Sequence, residues 1–318
     1  MLGVAIYGEN GHQCHGHLHN HPRARLVAAA RVSPDKLKGF DSKDVTTYDS
    51  LDALLTDPHV DLVSLCSPFR RDQAHDAIAC LDAGKHVYAE KPCALSEVEL
   101  DAILAAAARN RRSFHEMAGT AFSQPYLAMR KVVQSGALGE IIQVLVQKSY
   151  PYFDARPQDE AVDGGLLIQV GVHATRMIEH LCGLRIETVQ AWETALGNPQ
   201  PGQLRMASAF STTLSNGALA TAIANYLNPQ GTGVWGNESL TIFGANGLVE
   251  SHAGGKTTRL VISKEDRGPL DVSEPGRDYL EYILDEITHA GPMPVTLEEE
   301  LHPTRVLLRA KAAVTRVK

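Results

Sequence analysis

Residues 2–13 read Leu-Gly-Val-Ala-Ile-Tyr-Gly-Glu-Asn-Gly-His-Gln. The first six, Leu2–Tyr7, form an apolar run that is typical of a strand buried on both faces, and Gly8 begins a turn directly after it. Strand runs and helical patterns alternate from there to about residue 118. Further strands are predicted at Arg25–Val32, Leu62–Cys66 and His86–Ala89, and helices at His12–His21, Ser50–Thr56, Gln73–Ala83 and Ser96–Asn110. This alternation predicts an α/β domain at residues 1–118, with a doubly wound parallel sheet covered by helices.

The second part of the chain, residues 119–318, has a different periodicity. Two Asn-Gly pairs, Asn216-Gly217 and Asn246-Gly247, each separate two strand patterns, which is a strong hairpin signal. The predicted strands are Glu140–Tyr150, Arg185–Leu196, Arg205–Leu214, Ala218–Leu227, Ser239–Gly244, Leu248–His252 and Lys256–Ser263. The predicted helices are Gln124–Gln134, Gly165–Leu181, Arg277–Ala290 and Leu297–Arg316. We therefore expect an α+β domain at 119–318 with a large, open, mostly antiparallel sheet.

Composition excludes several classes of protein. The chain has 318 residues, 44% of them hydrophobic, and 30 Lys and Arg against 37 Asp and Glu give a formal net charge of −7. This is a globular composition, and it is too acidic for a nucleic-acid partner. No apolar run reaches the roughly 18 residues of a membrane helix, and a strand pattern starting at Leu2 predicts no signal peptide and no membrane attachment. Five widely spaced cysteines predict reduced thiols and a cytoplasmic location.

The turn after the first strand is a partial dinucleotide-binding fingerprint. The G-x-G-x-x-G/A pattern uses glycines for a tight turn, for close approach to a pyrophosphate and for helix packing. Gly8 fits the first position, Asn10 and Gln13 stand at the other two, and Gly11 lies beside the second. We expect His12 and Gln13 at a helix N-terminus near the pyrophosphate. The alternative is an ordinary glycine turn between a strand and a helix.

The second strand ends near Arg31 and Ser33, where an acid normally binds the ribose 2′-hydroxyl of NAD. A guanidinium suits a 2′-phosphate by bidentate contact, so Arg31 favours NADP over NAD. The alternative is that Arg31 stacks on adenine or points to solvent.

Three segments carry a family resemblance. The decapeptide Ala83–Pro92 reads Ala-Gly-Lys-His-Val-Tyr-Ala-Glu-Lys-Pro, Gly164-Gly165 is followed by Gly171-Val172-His173, and 135–141 reads Ser-Gly-Ala-Leu-Gly-Glu-Ile. These segments resemble the A-G-K-H-V-x-x-E-K-P, G-G-x-L-x-D-x-G-x-H and G-x-L-G-E-I motifs of the Gfo/Idh/MocA oxidoreductases. The resemblance implies a Rossmann domain that binds NAD or NADP, and a substrate domain whose open sheet forms a homodimer or homotetramer.

The resemblance also implies the catalytic residues. Lys91, with Glu90 in the Glu-Lys-Pro segment, would bind the substrate hydroxyl and the nicotinamide ribose, and its peptide bond to Pro92 would be cis. His173 would accept the hydroxyl proton as a neutral imidazole. Gln169 departs from the family pattern, because an aspartate commonly stands four residues before the histidine. A glutamine can bind a sugar hydroxyl but cannot take a proton.

Other candidate positions are weaker. Ser67 and Pro68 stand where the family has Thr-Pro and would contact the cofactor, while Gln73 replaces a histidine. His115, Tyr152 and Arg156 are candidates to bind substrate hydroxyls. The histidine cluster of His12, His15, His17, His19 and His21 with Cys14 places its pairs on diverging helix faces, so we predict no metal site.

These observations predict an NAD(P)-dependent oxidoreductase that transfers hydride between nicotinamide and a CH–OH carbon of a sugar, sugar acid or cyclitol. One alternative is an epimerase, lyase or glycosidase that uses transient oxidation with no net redox change. Another is a non-catalytic sugar or nucleotide sensor with the same fold. We expect the lysine and the histidine to reach the same substrate across a cleft between the two domains.

Overall fold

The computed structural model describes residues 1–317, which divide into two compact units. One comprises Met1–Met117, Ala161–Gly164 and Tyr279–Thr296, and the other Ala118–Glu160, Gly165–Asp278 and the residues from Leu297 onward. The first unit thus includes a late helix that the sequence boundary at 118 assigns elsewhere. The boundary between functional domains stays a prediction.

A parallel sheet forms the centre of the first unit. Its strands within the described residues are β1 (Leu2–Tyr7), β2 (Ala24–Ala30), β3 (Thr46–Tyr48), β4 (Leu62–Leu65), β5 (His86–Ala89) and β6 (Phe114–Glu116). They lie in the order β3-β2-β1-β4-β5-β6, and every neighbouring pair is parallel. Val4, Ile6 and Leu65 are fully buried, as the continuous apolar runs predict. This confirms the predicted doubly wound α/β fold, and it brings the loops after β1, β4 and β5 to one sheet edge.

Helices of the first unit follow the sequence pattern with one correction. They are α1 (Leu51–Leu55), α2 (Gln73–Asp82), α3 (Glu97–Asn110) and, later in the chain, α8 (Tyr279–Ile287). A capping box joins Ser96 and Glu99 at the start of α3. The helix predicted at His12–His21 is wrong: a 3-10 turn at Cys14–Leu18 stands there instead. Gly16 and several histidines in this segment are weak helix formers, and Pro22 follows it.

The second unit contains a large mixed sheet. Its strands are β7 (Ile141–Ser149), β8 (Ile186–Thr194), β9 (Ala207–Leu214), β10 (Leu219–Asn225), β11 (Asn237–Gly244), β12 (Gly247–His252), β13 (Thr257–Ile262), β14 (Glu265–Gly268) and β15 (Thr315–Val317). Their order is β14-β13-β12-β11-β7-β10-β9-β8-β15. Both predicted hairpins are present, β9 with β10 and β11 with β12. Neighbouring strands are antiparallel except β10 with β7 and β15 with β8, so the predicted mostly antiparallel sheet is confirmed.

The helices of the second unit include an interrupted segment. They are α4 (Tyr126–Gln134), α5 (Glu160–Asp163, which ends in the first unit), α6 (Leu166–Gln169), α7 (Gly171–Arg176) and α9 (Leu297–Ala312), with a π-helical turn at Met177–Leu181. The single helix predicted at Gly165–Leu181 is therefore three short segments. Gly171 stands at the first interruption, and a Cβ there would lie 3.4 Å from Leu307 and 3.5 Å from Phe210. Gly171 therefore packs against α9 and β9 at ordinary contact distance.

Candidate active site

Two glycines shape the loop after β1. Gly8 has φ +70°, and an added Cβ would lie 2.0 Å from the carbonyl oxygen of Cys66. Gly11 has φ +136°, and an added Cβ would lie 2.5 Å from Cγ of Glu90. A side chain fits at neither position, because the loop backbone packs directly against Cys66 and Glu90 at the carboxyl edge of the sheet. This cradle fits the close approach of a dinucleotide that the fingerprint requires.

The two non-glycine fingerprint positions brace the same loop. Asn10 donates from its amide to the carbonyl oxygens of Pro68 and Val162. Gln13 donates from its amide to the carbonyl oxygens of Tyr7 at 2.9 Å and Gly8 at 2.7 Å. The Gln13 side chain therefore stabilises the turn by binding two carbonyl oxygens at its start. The sequence predicted a helix N-terminus at His12 and Gln13, but no α-helix begins there. A pyrophosphate at this position would therefore contact the loop backbone.

Glu90 is a buried anion beneath this loop. Its Oε2 accepts the backbone N–H of His12 at 2.7 Å and lies 3.1 Å from the imidazole Nδ1. The ammonium of Lys91, a residue only 5% exposed, lies 3.8 Å from Oε1. Burial opposes ionisation of Glu90, but the contact with His12 and the charges of Lys91 and Arg70 outweigh it and hold its pKa at about 2. Glu90 therefore fixes both the loop and the lysine, whose peptide bond to Pro92 is cis, as the resemblance implied.

Arg70 braces the loops of the candidate site, and sequence reasoning missed it. Its guanidinium is buried and donates to the carbonyl oxygen of Asn10 and to Oε1 of Gln73, both at 2.5 Å. The Gln73 amide donates to the carbonyl oxygen of Glu90, and its Oε1 accepts the backbone N–H of Ser67 at 3.0 Å. Arg70 and Gln73 thus join the loops after β1, β4 and β5. The one signal in the sequence is Gln73 at the family's histidine position.

Ser67 and Pro68, both predicted to contact the cofactor, differ in their exposure to solvent. The Ser67 hydroxyl is buried and donates to Asp76 at 2.7 Å, and burial raises the pKa of that aspartate. The Pro68 ring is exposed, and its carbonyl oxygen accepts from Asn10. Of the two, only Pro68 presents its side chain to solvent at the sheet edge.

A carboxylate lies beside the predicted ribose site. Arg31 follows β2 in a left-handed conformation with φ +56° and is exposed. Glu9 Oε2 accepts both the backbone N–H of Ser33 at 3.2 Å and its hydroxyl at 3.0 Å. The sequence did not indicate this contact, since the pair is 24 residues apart. A guanidinium and a carboxylate therefore both stand at the carboxyl edge of β1 and β2.

His173 lies on α7 in the second unit, beside the end of β7. The hydroxyl of Tyr150 is 3.5 Å from Nε2, and the two rings meet edge to face with centroids 6.2 Å apart. The ammonium of Lys148 lies 4.6 Å from the Tyr150 ring centroid and forms a buried ion pair with Glu238. Tyr150 is thus held between a cation and the imidazole. Sequence analysis singled out Tyr152 instead, as a polar residue of the loop before Gly164-Gly165.

Gln169 occupies the position one turn before His173. Its Oε1 accepts a hydrogen bond of 2.8 Å from the hydroxyl of Tyr226 at the end of β10. The other predicted substrate contacts of this unit are engaged within the protein. Tyr152 accepts from Gln200 at 3.0 Å, and Arg156 is buried with its guanidinium 3.6 Å from the Tyr226 ring centroid and donates to the Pro151 carbonyl oxygen. Their roles as substrate ligands stay predictions.

His115 is engaged at the edge of the first sheet. It lies on β6, is 2% exposed, and its Nε2 is 2.9 Å from the carboxylate of Glu286 on α8. The contact with His115 is the main reason that the pKa of Glu286 is lowered. This pair ties α8 to the edge strand, and a role for His115 in substrate binding stays a prediction.

Comparison with known proteins gives the family. Residues 1–117 match the model of the oxidoreductase family with the NAD-binding Rossmann fold, and residues 126–250 match the GFO/IDH/MocA C-terminal domain. The chain belongs to the GFO/IDH/MocA family. It is an oxidoreductase whose first unit has the NAD-binding Rossmann fold.

Curated relatives in this family cover most of the chain. It is 23% identical to scyllo-inositol 2-dehydrogenase (NADP(+)) of Bacillus subtilis, over 96% of this chain and 91% of that one. It is also 23% identical to myo-inositol 2-dehydrogenase of Thermotoga maritima, over 82% and 76% of the two chains.

Solved structures confirm the GFO/IDH/MocA fold. The aldose–aldose oxidoreductase of Caulobacter crescentus superimposes with a TM-score of 0.81 at 23% identity, over 98% of this chain and 97% of that one. The WlbA dehydrogenase of Chromobacterium violaceum, in complex with NADH and UDP-GlcNAcA, gives a TM-score of 0.84 at 20% identity, over 98% and 93%. At these identities the likeness concerns the fold alone.

The described part of this GFO/IDH/MocA chain was also compared with the requirements of a membrane helix, a metal site and a disulfide. None of the helices in residues 1–317 has the length and apolar character that crossing a membrane requires. Over the same residues, no group of three or more His, Cys, Asp or Glu side chains is arranged to hold a metal ion. All five cysteines are buried and form no disulfide, and burial raises the pKa of Cys66 well above its usual value.

Proposed function

We propose that the protein is an NAD(P)-dependent dehydrogenase that acts on a CH–OH carbon of a sugar, sugar acid or cyclitol. The observation that supports this most directly is the hydroxyl of Tyr150 at 3.5 Å from Nε2 of His173, with Gln169 one turn away. An imidazole beside hydroxyl and amide groups suits a polyhydroxylated substrate. The two inositol dehydrogenases among the relatives act on cyclitols by name, which supports this substrate class.

Each residue of the proposed site has a separate role in the reaction. A bound NAD(P) would supply the hydride acceptor for the substrate carbon, and the chain's own residues manage the proton and the developing charge. His173 takes the hydroxyl proton at Nε2, and the Tyr150 hydroxyl orients the imidazole. Lys91 donates from its ammonium to the substrate oxygen and stabilises the negative charge that develops there. Gln169, held by Tyr226, binds a neighbouring hydroxyl, and Tyr152, Arg156 and His115 remain weaker candidates for that role.

The cofactor would be held mainly by backbone. Gly8, Gly11 and the adjoining residues Asn10, His12 and Gln13 form the pyrophosphate cradle, with Ser67, Pro68 and Glu90 around it. Arg31 and Ser33 would bind the adenosine ribose, and the charge of Arg31 favours the 2′-phosphate of NADP. The Glu9 carboxylate opposes this preference, so its contact with Ser33 must open when a 2′-phosphate binds.

A second candidate activity is transient oxidation with no net redox change, as in an epimerase, lyase or glycosidase. The observation that favours it is the uncharged Gln169, paired with Tyr226, where the family pattern commonly has an aspartate. Net formation of NAD(P)H distinguishes the two candidates, since only the dehydrogenase releases reduced cofactor in proportion to substrate.

We further propose that the open face of the large sheet binds a second copy of the chain. Leu145 on β7 and Leu219 and Ile223 on β10 are 42%, 54% and 39% exposed on neighbouring strands. A contiguous exposed apolar patch on a sheet is typical of an interface. The buried free thiols suit a reducing compartment, so we propose a cytoplasmic location for the homodimer or homotetramer.

The test is a panel of sugars, sugar acids and cyclitols assayed for NAD(P)H formation. We expect turnover by the wild type and a loss of about 10²–10⁴-fold in kcat for His173→Asn and for Lys91→Met. His252→Asn, at a half-exposed histidine of β12, is the control and should keep full activity. Absence of NAD(P)H formation with every compound, or full activity of His173→Asn, would contradict the proposal.

A further inference from the structure

Two exposed aromatic rings lie on the loops that follow β7 and precede β11. Trp235 is 63% exposed and Phe153 is 40% exposed. Their rings are stacked, with centroids 6.0 Å apart and planes 29° apart. Single exposed apolar side chains are common on proteins, but stacked open rings on two separate loops form a defined surface. We call Trp235 and Phe153 the aromatic platform.

Hydrogen bonds of the Asn228 side chain fix the loop that carries Trp235. The buried Asn228 donates from its amide to the carbonyl oxygens of Val234 at 2.5 Å and of Trp235 at 3.5 Å, and its Oδ1 accepts from Asn237 at 3.2 Å. This network fixes the backbone that carries the indole. A ligand that stacks on a pre-positioned ring loses less conformational entropy on binding than one that must order it.

The guanidinium of Arg156 supports the other ring. It lies 4.4 Å from the Phe153 ring centroid and 3.6 Å from the Tyr226 ring centroid, and it donates to the Pro151 carbonyl oxygen at 2.7 Å. Tyr226 is the residue that donates to Gln169. Arg156 therefore connects the platform to the Tyr226–Gln169 hydrogen bond, one turn before His173.

Tyr150 makes a second connection between the platform and His173. Its ring centroid is 6.4 Å from that of Trp235 and 6.2 Å from that of His173. Tyr150 therefore lies between the indole of Trp235 and the imidazole of His173 in a chain of ring contacts. A substrate ring bound beside His173 would therefore lie next to Tyr150, and a group attached to that ring would extend toward the indole.

We propose that Trp235 and Phe153 form a subsite for a second sugar ring, linked to the one whose CH–OH carbon reacts. This inference rests on the proposed function, and it identifies the substrate as a glycoside. Pyranose rings have a face of C–H groups that packs on aromatic rings, while their hydroxyls point outward to water or polar groups. A free monosaccharide or cyclitol leaves the platform uncovered.

Binding tests the subsite without turnover. The chain has two tryptophans, so Trp192→Phe leaves Trp235 as the sole indole. We expect α- and β-linked glucose and galactose disaccharides to quench its fluorescence, and their constituent monosaccharides to leave it unchanged. In the wild-type background, Trp235→Ala should weaken disaccharide binding about tenfold in calorimetry and leave monosaccharide binding unchanged. Trp235→Phe should restore most of the loss, and Leu196→Ala, at another exposed apolar residue, should have no effect.

Kinetics separate failure of the subsite from failure of the proposed function. The measured quantity is the ratio of kcat/KM for a disaccharide to that for its monosaccharide, and Trp235→Ala should lower it about tenfold. Monosaccharide turnover with no disaccharide quenching, or with a ratio unchanged by Trp235→Ala, overturns the subsite and leaves the dehydrogenase intact. Disaccharide binding without any NAD(P)H formation supports the subsite and overturns the proposed function. A change in oligomeric mass of Trp235→Ala, with sugar binding unchanged, assigns the platform to a protein interface and overturns the subsite.

Discussion

The hydroxyl of Tyr226 donates a hydrogen bond of 2.8 Å to Oε1 of Gln169. This places a neutral pair one turn before His173, where the family pattern commonly has a carboxylate. Tyr226 is 1% exposed and belongs to a core cluster with Leu166 and Val170. The phenol therefore fixes the rotamer of Gln169, and the site contains no negative charge from position 169.

We expect Gln169→Asp to move the acidic limb of the pH profile of kcat/KM to higher pH, by about one unit. A carboxylate one turn from His173 favours its protonated form, so the base is lost at a higher pH than in the wild type. Gln169→Asn is the matched control, since it shortens the side chain equally without adding charge. A limb that moves equally in both variants would exclude an electrostatic cause.

Gly11→Ala should lower the free energy of unfolding by about 1–3 kcal/mol and weaken dinucleotide binding, because its Cβ would collide with Glu90 while φ is +136°. Gly84→Ala is the control: φ there is +77°, but the nearest atom to an added Cβ is 3.8 Å away. Denaturant unfolding and calorimetric titration with NAD+ and NADP+ measure both effects. Equal losses of dinucleotide binding in the two variants would contradict the assigned cradle.

Cofactor choice should depend on two charges, one in the loop after β1 and one directly after β2. Arg31→Ala should weaken NADP+ binding about tenfold and change NAD+ binding little, because only NADP+ has the 2′-phosphate. Glu9→Gln should strengthen NADP+ binding, since it removes a negative charge beside Ser33. Thermal shift with both dinucleotides measures this preference. A larger stabilisation of the wild type by NAD+ than by NADP+ would refute the assignment of Arg31.

Stability should fall in mildly acidic solution because of His86, which begins the strand that leads to Lys91. Burial, aided by the charge of Arg112, lowers the pKa of His86 from 6.5 to about 4. The folded state binds this proton less tightly than the unfolded chain, so the stabilisation is complete above pH 6.5 and is lost as pH falls toward 4. Nδ1 accepts the backbone N–H of Ser113 at 2.9 Å, an interaction that His86→Asn can retain through Oδ1.

The measurement is the free energy of unfolding of wild type and His86→Asn between about pH 7 and about pH 4. The wild type should lose more stability over this range than the variant, which does not titrate. Parallel curves would show that His86 contributes nothing to acid sensitivity.

Leu219→Glu should convert the assembled protein to monomers, because it places a charge on the most exposed apolar residue of the proposed sheet interface. Light scattering gives the mass directly. Val98→Glu is the matched control, since Val98 is 80% exposed on α3 in the other unit and should leave the mass unchanged. A wild type that is already monomeric, or a Leu219→Glu variant with the wild-type mass, would contradict the interface.

The sequence by itself determined the local features of this protein. The apolar runs Leu2–Tyr7 and His86–Ala89 are strands at those bounds, and Ser96 caps α3. Each Asn-Gly pair lies at a hairpin connection, although Gly247 already belongs to β12. Each of these features depends on neighbours along the chain. The motif at Ala83–Pro92 gave the family, which the comparisons confirm. Side-chain partners within the candidate site were not available from these signals.

Only the tertiary structure decided those partners. Tyr226 and Gln169 are 57 residues apart, Arg70 and Asn10 are 60 apart, and no periodicity encodes either pair. The segment predicted as a helix at 12–21 forms only a 3-10 turn, and the one predicted at 165–181 is divided into short segments. Local patterns are set by interactions within a few residues, whereas the geometry of a site depends on which distant loops the sheets bring to the same edge.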